Sequence, residues 1–248
     1  MSLEADDLSG FEFVERNLDG AWFRRCNLRG VHIRGSDLTN AEIDGDIDGM
    51  TIHGIEVAPL VEAELDRRHP ERAALRANDA DSMRSGWAGL EAMWAATVDR
   101  VAAMPTGTAD ISIGGEWSFA QTLRHLVFAT DAWLGQAILG KSDAYHPIGM
   151  PFSSWRDEAA GVVDLDATPS YDEVLAVRAQ RVGMVRDFLA TLQDDELGEQ
   201  RKPPLFVLRT PQFPVSECLW IMMNEEWHHH RYAVRDLDAI EARSLGSD

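Results

Sequence analysis

The sequence is short of cysteine, of basic charge and of long apolar runs. Two cysteines, Cys26 and Cys218, stand in 248 residues. They are too few and too far apart for a disulfide framework or a cysteine-based zinc site, and they fit a reducing compartment. Lys and Arg number 23 against 42 Asp and Glu, a formal net charge of −19. Such a charge repels phosphate backbones and argues against nucleic acid as a partner. No stretch approaches the roughly 18 to 20 uncharged apolar residues of a membrane span, and the acidic stretch from Met1 to Gly10 holds no apolar signal core. The expectation is a cytoplasmic protein with no membrane partner. Glycine-rich phosphate loops are missing, and neither cysteine has a histidine placed for nucleophilic catalysis. What is present is an apolar content of 45%, enough for a core that needs neither disulfide nor metal to hold it together.

The first fifth of the chain has a period of its own. Reading every fifth residue gives Leu8, Phe13, Leu18, Phe23, Leu28, Ile33, Leu38 and Ile43, all large and apolar. Small residues such as Ala21, Cys26, Ser36 and Ala41 stand two positions before the later members, and Asn17, Asn27 and Asp37 one position before. A period of five belongs to neither helix nor strand. It resembles the pentapeptide repeat, best in Asn17-Leu18-Asp19-Gly20-Ala21 and Asn27-Leu28-Arg29-Gly30-Val31. That resemblance implies a short square β-helix over residues 1–57, about two coils long, which needs a cap or a neighbour because each coil buries its apolar stack only against the next. A structural or docking appendage is the expected role.

Residues 58–80 read as a charged, helix-friendly connector. Over 81–248, four long amphipathic segments follow with no strand pattern between them. The first runs over about 81–104, with Trp87, Leu90, Trp94, Val98 and Val101 at helical spacing and with Gly86 and Gly89 weakening it by roughly 1 kcal/mol each. The second opens on a capping box, Ser118 with Gln121, and runs to about 139; the third opens on another, Ser170 with Glu173, and runs to about 192. The fourth starts at Pro214 and runs to about 242. The expected fold is therefore mainly α, a four-helix up-and-down bundle preceded by the short β-helix. The two long connections, 140–169 and 193–213, carry Tyr145, His146, Phe152, Trp155, Phe206 and Phe213 and are placed to close over one end of the bundle.

The chemistry-bearing residues concentrate on the fourth helix, in Asn224-Glu225-Glu226-Trp227-His228-His229-His230-Arg231-Tyr232. Residues four apart share a helix face, which makes Glu225 with His229, or Glu226 with His230, a ready pair of oxygen and nitrogen ligands. The stripe from Val215 through Cys218 and Met222 continues onto Glu225 and His229. A carboxylate facing the core is costly unless a cation satisfies it. The second helix adds one histidine, His125. Tyr232 stands near the pair as a donor or a packing residue, while Arg231 and Arg235 are placed either for an anionic ligand or for surface pairing with Asp236 or Glu241.

The stretches Trp117 to Leu126 and Asn224 to Arg231 resemble the DinB-like superfamily of four-helix bundles, over residues of about 80 to 243. In that family one histidine on the second helix and a His/Glu-x-x-x-His pair on the fourth bind a divalent metal. The resemblance implies a metal site of His125, Glu225 and His229, with Glu226 and His230 as the register one residue on. It is similar to the mycothiol-dependent maleylpyruvate isomerase branch in having Glu at the first position of the pair. What it implies is a zinc- or nickel-type divalent metal that activates a low-molecular-weight thiol, possible mycothiol, against an electrophilic substrate, in a thiol S-transferase or isomerase, and a homodimer. Two other functions remain open from the residues: a metal-dependent hydrolase with Glu226 as base, and a non-catalytic metal-binding stress-response protein.

Overall fold

The structure is a computed structural model, and it describes residues 7–24, 26–76, 78–152, 155–207 and 210–245. The chain divides into two compact units, Met1–Leu38 and Thr39–Asp248.

In the first unit a turn recurs every ten residues. The carbonyls of Leu8, Leu18 and Leu28 accept from the amides of Phe11, Ala21 and Val31 at 2.9, 2.9 and 3.1 Å. Gly10, Gly20 and Gly30 take the third position of these turns with φ of 76°, 69° and 73°, the left-handed region that a type II turn requires there. Asn17 and Asn27 brace the turns by accepting from the amides of Asp19 and Arg29. The period of the sequence thus survives as turns. Strands do not form among the described residues of 7–50, and the eight apolar side chains of the five-residue register, Ile43 included, keep 43–59% of their surface.

The rest is mainly helical. A two-residue hairpin, β1 (Thr51–Ile52) and β2 (Ile55–Glu56), leads into α1 (Ala58–Arg68) and a 3-10 segment, Pro70–Arg76. Then come α2 (Ala80–Ala103), α3 (Phe119–Thr130), a short α4 (Arg156–Ala159), α5 (Tyr171–Thr191) and α6 (Val215–Leu245). A second small antiparallel pair joins β3 (Gln200–Arg201) to β4 (Phe213–Pro214). The described residues thus form six α-helices, and α2, α3, α5 and α6 fall on the four segments that the periodicity marks. These four pack around one another, α2 on α5 and α6, and α3 on the same two.

Local chemistry explains the helix starts. Asp79 caps α2 by accepting from the amide of Ser82 at 2.8 Å, and both expected capping boxes form, at Ser118 with Gln121 and at Ser170 with Glu173. Two details differ from the sequence reading. Pro214 ends β4 instead of opening the helix, because the backbone first pairs with β3 and the amide of Val215 donates to the Glu199 carbonyl. After Thr130 the helix of α3 widens into a π-helical stretch, Asp131–Ile138, with the Leu139 amide reaching back to the Leu134 carbonyl. Gly86 has a packing reason that outweighs its helix cost: a Cβ there would meet the Ala74 carbonyl oxygen at 3.0 Å.

The connector is tied to α6 by Arg72, whose side chain is fully buried. Its guanidinium donates to Asp66 and Glu62, both at 2.9 Å, and to Asn224 at 3.3 Å, and lies over the Trp227 ring at 4.5 Å. The core is in two clusters. One holds Trp87, Phe128, Val185, Leu219 and Trp227, the other Trp94, Leu123, Leu126, Val174 and Ala233. Their boundary falls between Leu126 and Phe128 on α3, between Val174 and Val185 on α5 and between Trp227 and Ala233 on α6. Buried Arg178 and His229 fall within that boundary, and buried His125 and Glu226 stand beside it.

Candidate metal centre

Two helices deliver three donors to one point. The Ser118 cap sets the start of α3 and places His125 two turns in, where it is 1% exposed. On α6, Glu225 and His229 share a face at i and i+4. One ligand atom from each of His125, Glu225 and His229 lies within 4.8 Å of the others. Glu225 Oε2 is 3.3 Å from His125 Nε2 and 3.2 Å from His229 Nε2, and the two imidazole rings are 4.7 Å apart.

The second nitrogen of His125 decides its tautomer. Nδ1 is 2.9 Å from the Met150 carbonyl oxygen, which can only accept, so Nδ1 carries the proton. In the neutral ring Nε2 is then a lone pair, and it faces a carboxylate oxygen. Two acceptors at that distance require a cation between them or a second proton on the ring. The donor set, two imidazole nitrogens and one carboxylate, could hold a divalent metal ion with positions left for other ligands. A histidine whose far nitrogen is held by a carbonyl is the usual arrangement of a ligand fixed for its metal.

Electrostatics agree with this. Burial pushes the Glu225 carboxyl up, but the two facing histidines outweigh it and hold the group well below the ordinary carboxylate range. Its side chain keeps 28% exposure, so the triad opens to solvent on the Glu225 side. Burial lowers the pKa of His229 against the opposing pull of the Glu225 carboxylate and so favours the neutral, ligating form.

The neighbouring register is engaged elsewhere. Glu226 is 1% exposed and its Oε2 accepts from Arg178 of α5 at 2.5 Å. His230 lies 2.8 Å from Thr97 Oγ1; that hydroxyl donates to the Met93 carbonyl, so His230 Nε2 donates to it. Glu226 and His230 therefore face α5 and α2, and the structure does not bring them together with His125.

The loops supply support that the residue pattern alone did not reveal. The 146–150 stretch lies along α3: the Met150 amide donates to the Arg124 carbonyl at 3.2 Å, Arg124 Nε donates to the Ile148 carbonyl at 2.8 Å, and the His146 amide donates to Asp131 at 2.8 Å. Asp131 is in turn bound to Arg181 of α5 at 2.5 Å. Two half-buried rings wall the histidines. Trp117 lies 4.8 Å from His125 and 5.8 Å from His229, and Phe152 lies 4.3 Å from His125. Behind them the two long connections meet, with Trp155 stacked on Phe206 at 4.2 Å and 17°. Trp117 stood at the head of the stretch that resembles the family, directly before the Ser118 cap; Arg178 and Arg181 carried no signal.

The other candidates take the surface roles. Arg235 pairs with Asp236 at 2.8 Å, Arg231 lies over the Trp227 ring at 4.9 Å, and Glu241 pairs with Arg100. Tyr232 packs against His229 and its hydroxyl donates to Asp44 at 2.7 Å. Cys26 is exposed and Cys218 buried, with burial pushing the Cys218 thiol up to about 12, so it is inert as a nucleophile. No helix among the described residues is long and apolar enough to cross a membrane.

Compared with known proteins, the chain matches the family model of the DinB superfamily over residues 89–233. No curated protein and no solved structure matches it. The match takes in all of α3 and α6 as far as Ala233, and so His125, Glu225 and His229, and the chain belongs to the DinB superfamily, a family of metal-binding proteins.

Proposed function

We propose that the protein is a divalent-metal-dependent thiol S-transferase or isomerase, with His125 Nε2, a Glu225 carboxylate oxygen and His229 Nε2 as the ligands. The observation that carries this reading is the convergence of three donors from α3 and α6, with the far nitrogen of His125 already tied to a backbone carbonyl. A bound zinc- or nickel-type ion supplies Lewis acidity, which lowers the pKa of a low-molecular-weight thiol and makes thiolate available near neutral pH. The chain's own residues do the rest. Met150, Asp131 and Arg181 hold the loop that orients His125. Trp117 and Phe152 exclude water from the imidazoles and offer an apolar wall to an electrophile. Glu225, the more exposed ligand, marks the side on which thiol and substrate enter.

In this reading α2, α3, α5 and α6 are the four-helix bundle of the superfamily, mycothiol is the thiol to try first, and the protein works in the cytoplasm as a homodimer without nucleic acid or membrane. The N-terminal register is a pentapeptide-like appendage. The hydrolase alternative loses its base, since Glu226 is buried and bound to Arg178.

The test is metal content by mass spectrometry of protein purified without added metal or chelator, for the wild type and for His125→Ala and His229→Ala, followed by thiol-consumption assays with an electrophile. Near-stoichiometric metal lost in both variants, with metal-dependent thiol consumption in the wild type, supports the reading. A wild type that takes up neither zinc nor nickel overturns it, and metal without thiol consumption leaves a binding protein.

A further inference from the structure

Residues 39–57 lie outside the stretch that matches the family, yet one of them reaches the neighbourhood of the ligands. Asp44 accepts from the Tyr232 hydroxyl at 2.7 Å across 188 residues of chain. Tyr232 stands three residues beyond His229 on α6, and its ring meets the His229 imidazole edge to face, with centroids 5.9 Å apart at 84°. The other sides of that imidazole are taken. Trp117 stacks on it at 5.8 Å and 25°, Phe152 lies at 6.2 Å, and Nε2 faces Glu225. Tyr232 thus closes the remaining aromatic wall of one ligand, and the guanidinium of Arg235 covers its ring at 5.4 Å. A phenol ring left to itself swings between side-chain rotamers; a hydrogen bond at its hydroxyl restrains that swing and holds the ring as a whole in one place.

We propose that Asp44, acting through Tyr232, is a positioning residue for His229, so that the 39–57 segment forms part of the support of the metal centre. The place of the Tyr232 ring is held at its hydroxyl end by Asp44, and the ring in turn bounds the space open to the His229 imidazole. The link comes from outside the stretch that matches the family, and its functional meaning rests on the metal reading above.

The experiment uses the full chain loaded with cobalt(II), whose d–d absorption reports ligand geometry, together with cobalt affinity. Asp44→Ala removes the acceptor, Asp44→Asn retains one, and Tyr232→Phe keeps the ring but not the hydroxyl. Asp44 is exposed, so its variants are expected to fold, which melting curves in chelator verify. The expected result is a shifted cobalt band and a loss of cobalt affinity of about threefold to tenfold in both Asp44→Ala and Tyr232→Phe. Asp44→Asn should resemble the wild type, and the two damaging changes together should do no more than either alone. A wild-type spectrum and affinity in Asp44→Ala overturns the proposal, as do additive effects. Should the wild type take up neither cobalt nor zinc nor nickel, the metal reading fails on its own, and the positioning is read from the His229 ring resonances in the metal-free protein. Equal displacement in Asp44→Ala and Tyr232→Phe, absent in Asp44→Asn, then supports the link, and unmoved resonances refute it.

Discussion

Asp131 is the buried carboxylate from which the loop of the site hangs, and withdrawing its cation tests that line of support. It is 1% exposed, and it accepts from Arg181 Nε at 2.5 Å and from the His146 amide at 2.8 Å. Burial already pushes its carboxyl above the ordinary value, against the pull of Arg181 and of that amide. Arg181→Met keeps most of the aliphatic length and removes the charge. The folded protein must then hold an unpaired buried carboxylate or take up a proton, and proton uptake caps the loss. At pH 7 an ordinary Asp lies about three units above its pKa, and at ~1.36 kcal/mol per unit the cap is ~4 kcal/mol; at pH 5 it is ~1.5 kcal/mol. Breaking a buried pair otherwise costs about 3–5 kcal/mol. We expect a loss of roughly 3–4 kcal/mol at pH 7, which at roughly 2–4 °C per kcal/mol lowers Tm by roughly 6–16 °C.

The pH dependence of that loss has a fixed sign. The folded-state pKa of Asp131 lies above the unfolded one, so stability falls as pH rises from about 4 through the folded value. Removing Arg181 raises the folded value further and stretches the window toward neutrality. Urea unfolding followed by circular dichroism at pH 5, 6 and 7, in chelator, measures this. Adding Asp131→Asn to Arg181→Met should recover most of the stability, because the amide oxygen still accepts from His146. A loss at pH 7 under about 1 kcal/mol, or the same loss at pH 5 as at pH 7, would show that Asp131 is not the buried anchor described above.

Three further outcomes follow from named contacts. Arg72→Met should cost roughly 2–3 kcal/mol in urea unfolding, below the full cost of a broken buried pair because Glu62 and Asp66 are about a third exposed and can hydrate; a variant within about 0.5 kcal/mol of wild type would refute the clamp. Gly86→Ala, which would stabilise an isolated helix by up to about 1 kcal/mol, should instead destabilise by about 1–3 kcal/mol, since its Cβ would meet a backbone carbonyl oxygen at 3.0 Å; a raised Tm would contradict the close approach. The backbone bond from Ser82 holds the Asp79 carboxyl below its ordinary value. Its stabilisation is therefore present above the unfolded pKa and lost as pH falls through the folded one, so the Tm difference between wild type and Asp79→Ala should narrow below about pH 4.

Legibility in the sequence followed the range of the interaction. Ser118 with Gln121 and Ser170 with Glu173 act within one turn, and the structure starts helices where those pairs stand. The five-residue period was equally plain, but a period states which residues recur and not what covers them, and the register residues remain half exposed. The choice between Glu225 with His229 and Glu226 with His230 was of another kind. Adjacent residues on a helix point about 100° apart, so both pairs present an acid and a base at i and i+4, and on α6 only the apolar stripe from Val215 through Met222 leans toward Glu225 with His229. Other elements complete that ranking: Arg178, 48 residues away, takes Glu226, and Thr97, 133 residues away, takes His230. What remains on the inner face, Glu225 and His229, meets the one histidine of α3. Residue type and spacing therefore supplied the ligands as a set of candidates, and long-range partners assigned the roles. Arg72 and Asp44 follow the same rule, bonding α6 across 152 and 188 residues. The helix with the densest run of ionisable groups is the one whose individual residues most depend on contacts that no local pattern records.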